Sequence, residues 1–156
     1  MRTQLLATAG IATVALLAAG TAVASPGSPA AHPDLHFNEK IVSISELDLG
    51  AKGPSMGDTA AFTLRLFDAD GKKVGTGGGT ATSVKPKGGD LGLVQLSATY
   101  LVGGDQIQIL GFYDFTKIKG SVPIVGGSGR FSGVTGQVDF VSPSEGTFVD
   151  TFHFED

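Results

Sequence analysis

Five carboxylates fall on or beside runs of β-type residues: Glu46, Asp48, Asp114, Asp139 and Asp150. If two of them turned into an enclosed apolar interior they would lose their water. Desolvation would then raise their pKa values toward the range in which a carboxyl group both gives and takes protons. Half the positions on a strand face solvent, where a carboxylate only solubilises, so this chemistry depends on a fold that turns a pair inward. The tyrosines come next. Tyr113 lies in the run Phe112-Tyr113-Asp114-Phe115, and Tyr100 is the only other tyrosine. At a cavity mouth a tyrosine hydroxyl can hydrogen-bond a ligand while the ring packs; the plainer role is a core aromatic with a satisfied hydroxyl.

Other chemistries find less material. A serine triad needs a histidine, and of His32, His36 and His153 only the last lies inside a β-type run; no nucleophile-elbow sequence accompanies it. The histidines have no ligand-type spacing and cysteine is absent, so no metal site is expected. Gly126, Gly127, Gly129, Gly133 and Gly136 lack the Lys-Ser/Thr pair of a phosphate loop. They read instead as the turn between two paired strands, where Arg130 could pair a ligand carboxylate, its plainer role being to hold the turn through backbone carbonyls. Asp68 and Asp70 lack the further oxygen ligands of a calcium loop. Asp68-Ala69-Asp70-Gly71-Lys72 is rather a hairpin turn, since Asp-Gly supplies positive φ angles.

The elements that must position these residues are all strands. From Lys40 onward β-type runs alternate with turn signals, and no stretch sustains a helical period. The first run, Lys40 to Leu49, puts Ile41, Ser43, Ser45, Leu47 and Leu49 on one face if it is regular. Runs follow at 58–67, 73–84, 91–102, 106–115, 121–125, 136–141 and 147–154. The third is unusual in its glycines, Gly75, Gly77, Gly78 and Gly79, which suit a sharply curled sheet. Eight strands with short connections make a closed up-and-down barrel or a sandwich, and closure removes exposed edges.

The chain has 156 residues and opens with Met1-Arg2-Thr3-Gln4, then an uncharged Ala/Leu-rich run ending in Ala22-Val23-Ala24. This pattern reads as a signal peptide over residues 1–24, cleaved before Ser25, in preference to the alternative of a retained membrane anchor, because the run is Ala-rich and ends in a cleavage-type sequence. Residues 25–36 read as a flexible linker rich in Ser, Pro, Gly and Ala, and 37–156 as the single folded domain. Removing 1–24 takes Arg2 and no acid, which leaves 10 basic and 15 acidic residues and a net charge of −5. That balance, without a basic run, argues against nucleic acid and against anionic membrane surfaces. The expected location is extracellular, with no membrane association after cleavage and a fold held without disulfides.

Several stretches, in order and spacing, resemble the allene oxide cyclase and dirigent superfamily: Ile44-Ser45-Glu46-Leu47-Asp48, Gly57-Asp58 with Phe62, Gly71-Lys72-Lys73-Val74-Gly75, Gly104 to Gly111, and Val122 to Val138. Together they span Lys40 to Phe154. The resemblance implies an all-β, eight-stranded antiparallel up-and-down β-barrel, often a homotrimer. It also implies an apolar cavity for a small hydrophobic molecule and isomerase or cyclase chemistry without a cofactor. Family members work largely by holding a reactive compound in one conformer. The positions matching the plant cyclase's strand carboxylate and neighbouring amide are Ser43 and Ser45, and its strand cysteine falls near Ala81, so no catalytic residue carries over. Two functions follow. One is a barrel that binds, and steers the isomerisation or cyclisation of, a small apolar compound, with Ser43, Ser45, Phe62, Tyr100 and Tyr113 lining the cavity. The other is a non-catalytic extracellular scaffold, whose interior would be filled by Phe and Leu.

Overall fold

The computed structural model describes residues 32–50 and 52–155. The leader expected at 1–24 and most of the expected linker lie outside them. Eight strands follow one another: β1 (Leu35–Leu47), β2 (Thr59–Phe67), β3 (Lys73–Lys87), β4 (Asp90–Val102), β5 (Asp105–Asp114), β6 (Lys119–Ser128), β7 (Thr135–Ser144) and β8 (Thr147–Glu155). A single 3-10 turn, Gly129–Phe131, separates β6 from β7. Each strand pairs antiparallel with the next and β8 returns to β1, so the sheet closes into the expected barrel and not a sandwich.

Local sequence explains the path. At the β2–β3 hairpin, the Asp68 carboxylate accepts the N–H groups of Asp70 and Lys72 at 3.1 and 2.9 Å, and Gly71 takes φ +77°. A residue with a Cβ is strained there. Period-two alternation then sorts side chains between the two faces. On β4, Val94, Leu96, Ala98, Tyr100 and Val102 are buried, while Gln95, Ser97 and Leu101 face out. β3 turns Gly75, Gly77 and Gly79 toward the inside, and this is why β2 can approach so closely. A Cβ on Gly77 would stand 2.7 Å from the Thr99 carbonyl oxygen and 2.9 Å from Leu64 Cδ1.

The two ends of the barrel differ. At one end the chain fills the lumen: Phe131 and Phe154 stack at 5.8 Å, His32 packs against both rings, and Val134 is buried beside them. Arg130 ties this end together. Its Nη2 donates to the Val102 carbonyl at 3.3 Å, its Nε lies 3.4 Å from Asp105, and its guanidinium sits over Phe131. Pairing starts at Leu35, within the stretch read as linker, and Asp34 already bonds His153 Nδ1 at 2.9 Å. The composition of 25–33 concealed that start.

The other end stays open. The β1–β8 ladder stops at Lys40↔Thr147, and beyond Ile41 strand β1 is laddered to β2 alone. A bulge sits at this point. Ile41 pairs with Leu64 and Ser43 with Thr63, so Val42 is an extra residue. One inserted residue exchanges the two faces of everything after it. Above the open rim, Asp58 anchors the β1–β2 loop by accepting the N–H groups of Leu49 and Ser55 at 2.8 and 2.6 Å and the Ser55 hydroxyl at 2.9 Å.

Candidate functional site

The open end is a hollow of about 610 Å3, bordered by Ile41 to Ile44, the β4 start at Asp90 and Leu91, and the β7–β8 turn at Glu145 and Gly146. Beneath it lies a chamber of about 40 Å3 whose wall shares Ile41, Phe62, Phe115 and Phe148 with the hollow. Small side chains make the space: Ala60 and Ala81 at the hollow, Ala98 in the chamber, all at inward positions. Aromatic rings bound it. Tyr113 stands edge-on to Phe115 at 5.1 Å and to Phe140 at 5.4 Å, and Gly120 leaves room for its ring. Tyr100 meets Phe152 edge-on at 5.0 Å on the side of the closed end.

Two acids interrupt this apolar wall. Glu39 of β1 is 4 % exposed and lines the chamber; Asp150 of β8 is 0 % exposed. Both are inward. Glu39 pairs with Phe148 and Asp150 with Phe37, which makes the acids diagonal neighbours on adjacent strands. Among the described residues, Glu39 Oε2, both Asp150 carboxyl oxygens and the Tyr113 hydroxyl are buried with no hydrogen-bond partner while both acids are ionised; with one proton on the pair, Glu39 and Asp150 are placed to share it. A buried ionised carboxylate without partners is costly, so such groups neutralise.

Loss of water raises the pKa of Glu39, partly offset by the neighbouring Asp150 and Tyr100 groups. Asp150 is pushed up to about 10, first by burial and then by the Glu39 charge. Two acids that oppose each other's ionisation titrate as a pair, and this one retains at least one proton at neutral pH. Burial and the same carboxyls raise the Tyr100 and Tyr113 pKa values, so both hydroxyls stay protonated. The arrangement is an acid on the wall of an apolar chamber, Glu39, backed by a second acid, Asp150, that does not line the chamber, with the Tyr113 phenol on the same wall. It can transfer a proton to or from a bound molecule without water competing.

The residues picked out by sequence divide cleanly. Phe62, Tyr100 and Tyr113 line the chamber. Ser43 and Ser45, expected beside a ligand, do not enter it. Ser43 borders the rim with its hydroxyl 2.6 Å from that of Thr63 on the outer face, and Ser45 pairs with exposed Ala61. The bulge at Val42 put them there. Of the five carboxylates only Asp150 is in the interior. Glu46 is at the rim, Asp48 accepts the Gly53 N–H, Asp114 caps a turn through Thr116, and Asp139 bonds Ser121 and Gln137 outside. Glu39 was missed because the first run was read from Lys40. The alternation Leu35, Phe37, Glu39, Ile41 could have found it.

Comparison with known proteins places the architecture. Residues 39–151 match the model of the allene oxide cyclase barrel like domain. No curated protein sequence matches significantly. Among solved structures, a pyocyanin demethylase is similar with TM-score 0.69 and 19% identity, over 79% of this chain and all of its own. An exo-specific intermolecular Diels-Alderase is similar with TM-score 0.60 and 17% identity, over 77% of this chain and 96% of its own. A pterocarpan synthase dirigent protein is similar with TM-score 0.60 and 21% identity, over 79% of this chain and 88% of its own. With a family match across most of the closed barrel, including the strands that carry both buried acids, this chain belongs to the allene oxide cyclase barrel-like family.

Proposed function

We propose that this protein is a secreted barrel that takes a small, mostly apolar molecule through its open end and steers its isomerisation or cyclisation by proton transfer from the Glu39–Asp150 pair. The observation that carries this reading is the position of Glu39. It is a buried carboxyl with an unpartnered oxygen on the wall of an aromatic chamber that opens to solvent. A filled scaffold would place Leu or Phe there, because removing a partnerless acid from a core is stabilising. An isomerisation needs no co-reactant: Glu39, the member of the pair on the chamber wall, gives its proton to one atom of the substrate and takes a proton back from another, so the pair ends the cycle as it began. The aromatic walls hold the substrate in one conformer meanwhile. Names among the structural neighbours, a demethylase, a Diels-Alderase and a dirigent protein, support small-molecule chemistry in such barrels.

The test is native mass spectrometry of the mature protein incubated with lipophilic extract from its own culture. Bound compounds are released and their chromatographic retention compared with the starting extract. The expected result is a bound mass released with altered retention by wild type and unaltered by Glu39→Gln. No bound mass from any extract would overturn the reading in favour of the scaffold, and the native mass reports whether the barrel is a trimer.

A further inference from the structure

The proposed chamber has an electrostatic character that narrows its ligand, and the inference that follows rests on that reading. Glu46, Asp90 and Glu145 stand around the hollow, Glu39 lies beneath, and no Lys, Arg or His is among the residues lining either space. Among the described residues, every charged side chain that lines either space is acidic. A low-dielectric cleft lined by one sign focuses the field and gathers counter-ions. Inside, the faces and edges of Phe62, Tyr113, Phe115, Phe140 and Phe148 surround the unpartnered Glu39 oxygen. Aromatic faces attract cations, most strongly where water is excluded.

We infer that the ligand is a flat aromatic compound carrying a positively charged nitrogen, that its rings lie in the 610 Å3 hollow, and that only its charged N-methyl end enters the 40 Å3 chamber between the aromatic walls and Glu39. The groups facing Glu39 are Asp150 of β8, Tyr100 of β4 and Tyr113 of β5, while β2 and β7 present Phe62 and Phe140. None is basic, so the cation has no competitor for the carboxylate. Since the empty pair holds its proton, a cation must displace one proton, which passes to solvent. Binding of a permanently charged ligand then tightens up to about tenfold for each pH unit gained, as long as the free pair remains protonated. A neutral ligand of the same shape displaces nothing and shows no such dependence.

The probes are N-methylquinolinium and methylnaphthalene, which differ in one charged ring atom. Their binding to the mature protein is measured by titration calorimetry at several pH values, in two buffers of different ionisation enthalpy. The expected result near pH 8 is at least about tenfold tighter binding of the cation, with one proton released and the preference shrinking as pH falls. The double variant Glu39→Gln, Asp150→Asn should lose the preference and the proton release while still binding methylnaphthalene. Equal or tighter binding of methylnaphthalene by wild type, or cation binding without proton release, would overturn the inference and leave the apolar chamber standing. Failure of both probes to bind would overturn the inference together with the function on which it rests.

Discussion

Asp150→Asn keeps the shape of the buried side chain and removes its ability to ionise. In the folded wild type burial holds the proton on Asp150, with a pKa of about 10 against an ordinary carboxylate value near 4 in the unfolded chain. Between those values the folded state binds more protons than the unfolded one, so stability falls as pH rises, by about 1.4 kcal/mol per pH unit. Carried through the whole window this amounts to roughly 8 kcal/mol, as much as the entire folding free energy of many domains. The measurable part lies lower. From about pH 5 to about pH 8 wild type should lose about 4 kcal/mol relative to the variant. Asp58 and Asp114, whose pKa values are lowered by hydrogen bonds, contribute only below that window. Urea unfolding followed by circular dichroism across the window gives the midpoint and slope for each protein. Parallel curves for wild type and variant, or a wild-type stability that climbs from pH 5 to 8, would refute the claim that Asp150 is protonated in the fold.

Four other outcomes follow from contacts already described. Tyr113→Phe removes a buried hydroxyl without a partner, so the melting temperature should hold or rise, by up to about 1 kcal/mol in stability, while ligand affinity drops; a clear loss of stability would mean the hydroxyl is satisfied. Gly79→Ala presses a Cβ into the Ser97 carbonyl and to within 2.8 Å of Ala98 Cα, and should cost about 1–3 kcal/mol by denaturant unfolding. Asp58→Ala should lower the melting temperature at neutral pH and have little effect in strong acid. The Asp58 carboxylate's contribution is present above its ordinary value and lost as pH falls through its depressed one. Ala98→Val narrows the chamber at its wall and should weaken methylnaphthalene binding by about tenfold, measured by calorimetry, without unfolding the barrel.

The architecture was legible because each of its devices is local. Asp68 to Lys72 and Gly103-Gly104 announce hairpins by turn chemistry alone, and β4 shows its inward face in plain alternation from Val94 to Val102. The glycines of β3 likewise declare a sharply curled sheet before any partner is known. The site was less legible, because it depends on parity across strands. Asp150 stood among five acids, and the signal that could have singled it out is the alternation Phe148, Asp150, Phe152, Phe154, which the register of β8 against Phe37 turns inward. Glu39 sits in a stretch that starts pairing only because β8 comes back to meet it more than a hundred residues later. Ser43 and Ser45 were placed by counting in twos through Val42, and no property of that valine marks it as the residue at which the count breaks.

That bulge separates two kinds of variation. From Asn38 to Lys40, Glu39 included, β1 is held in phase by both β2 and β8, whereas everything after Val42 answers to β2 alone. Deleting Val42 would remove the bulge without moving the register: Ser43 would still stand opposite Thr63 and Ile44 opposite Phe62, so the serines stay outside and Ile44 and Glu46 stay at the entrance. Such barrels can therefore lose the extra residue at this point of the rim without turning the entrance side chains over, while the acid pair at the bottom keeps its surroundings.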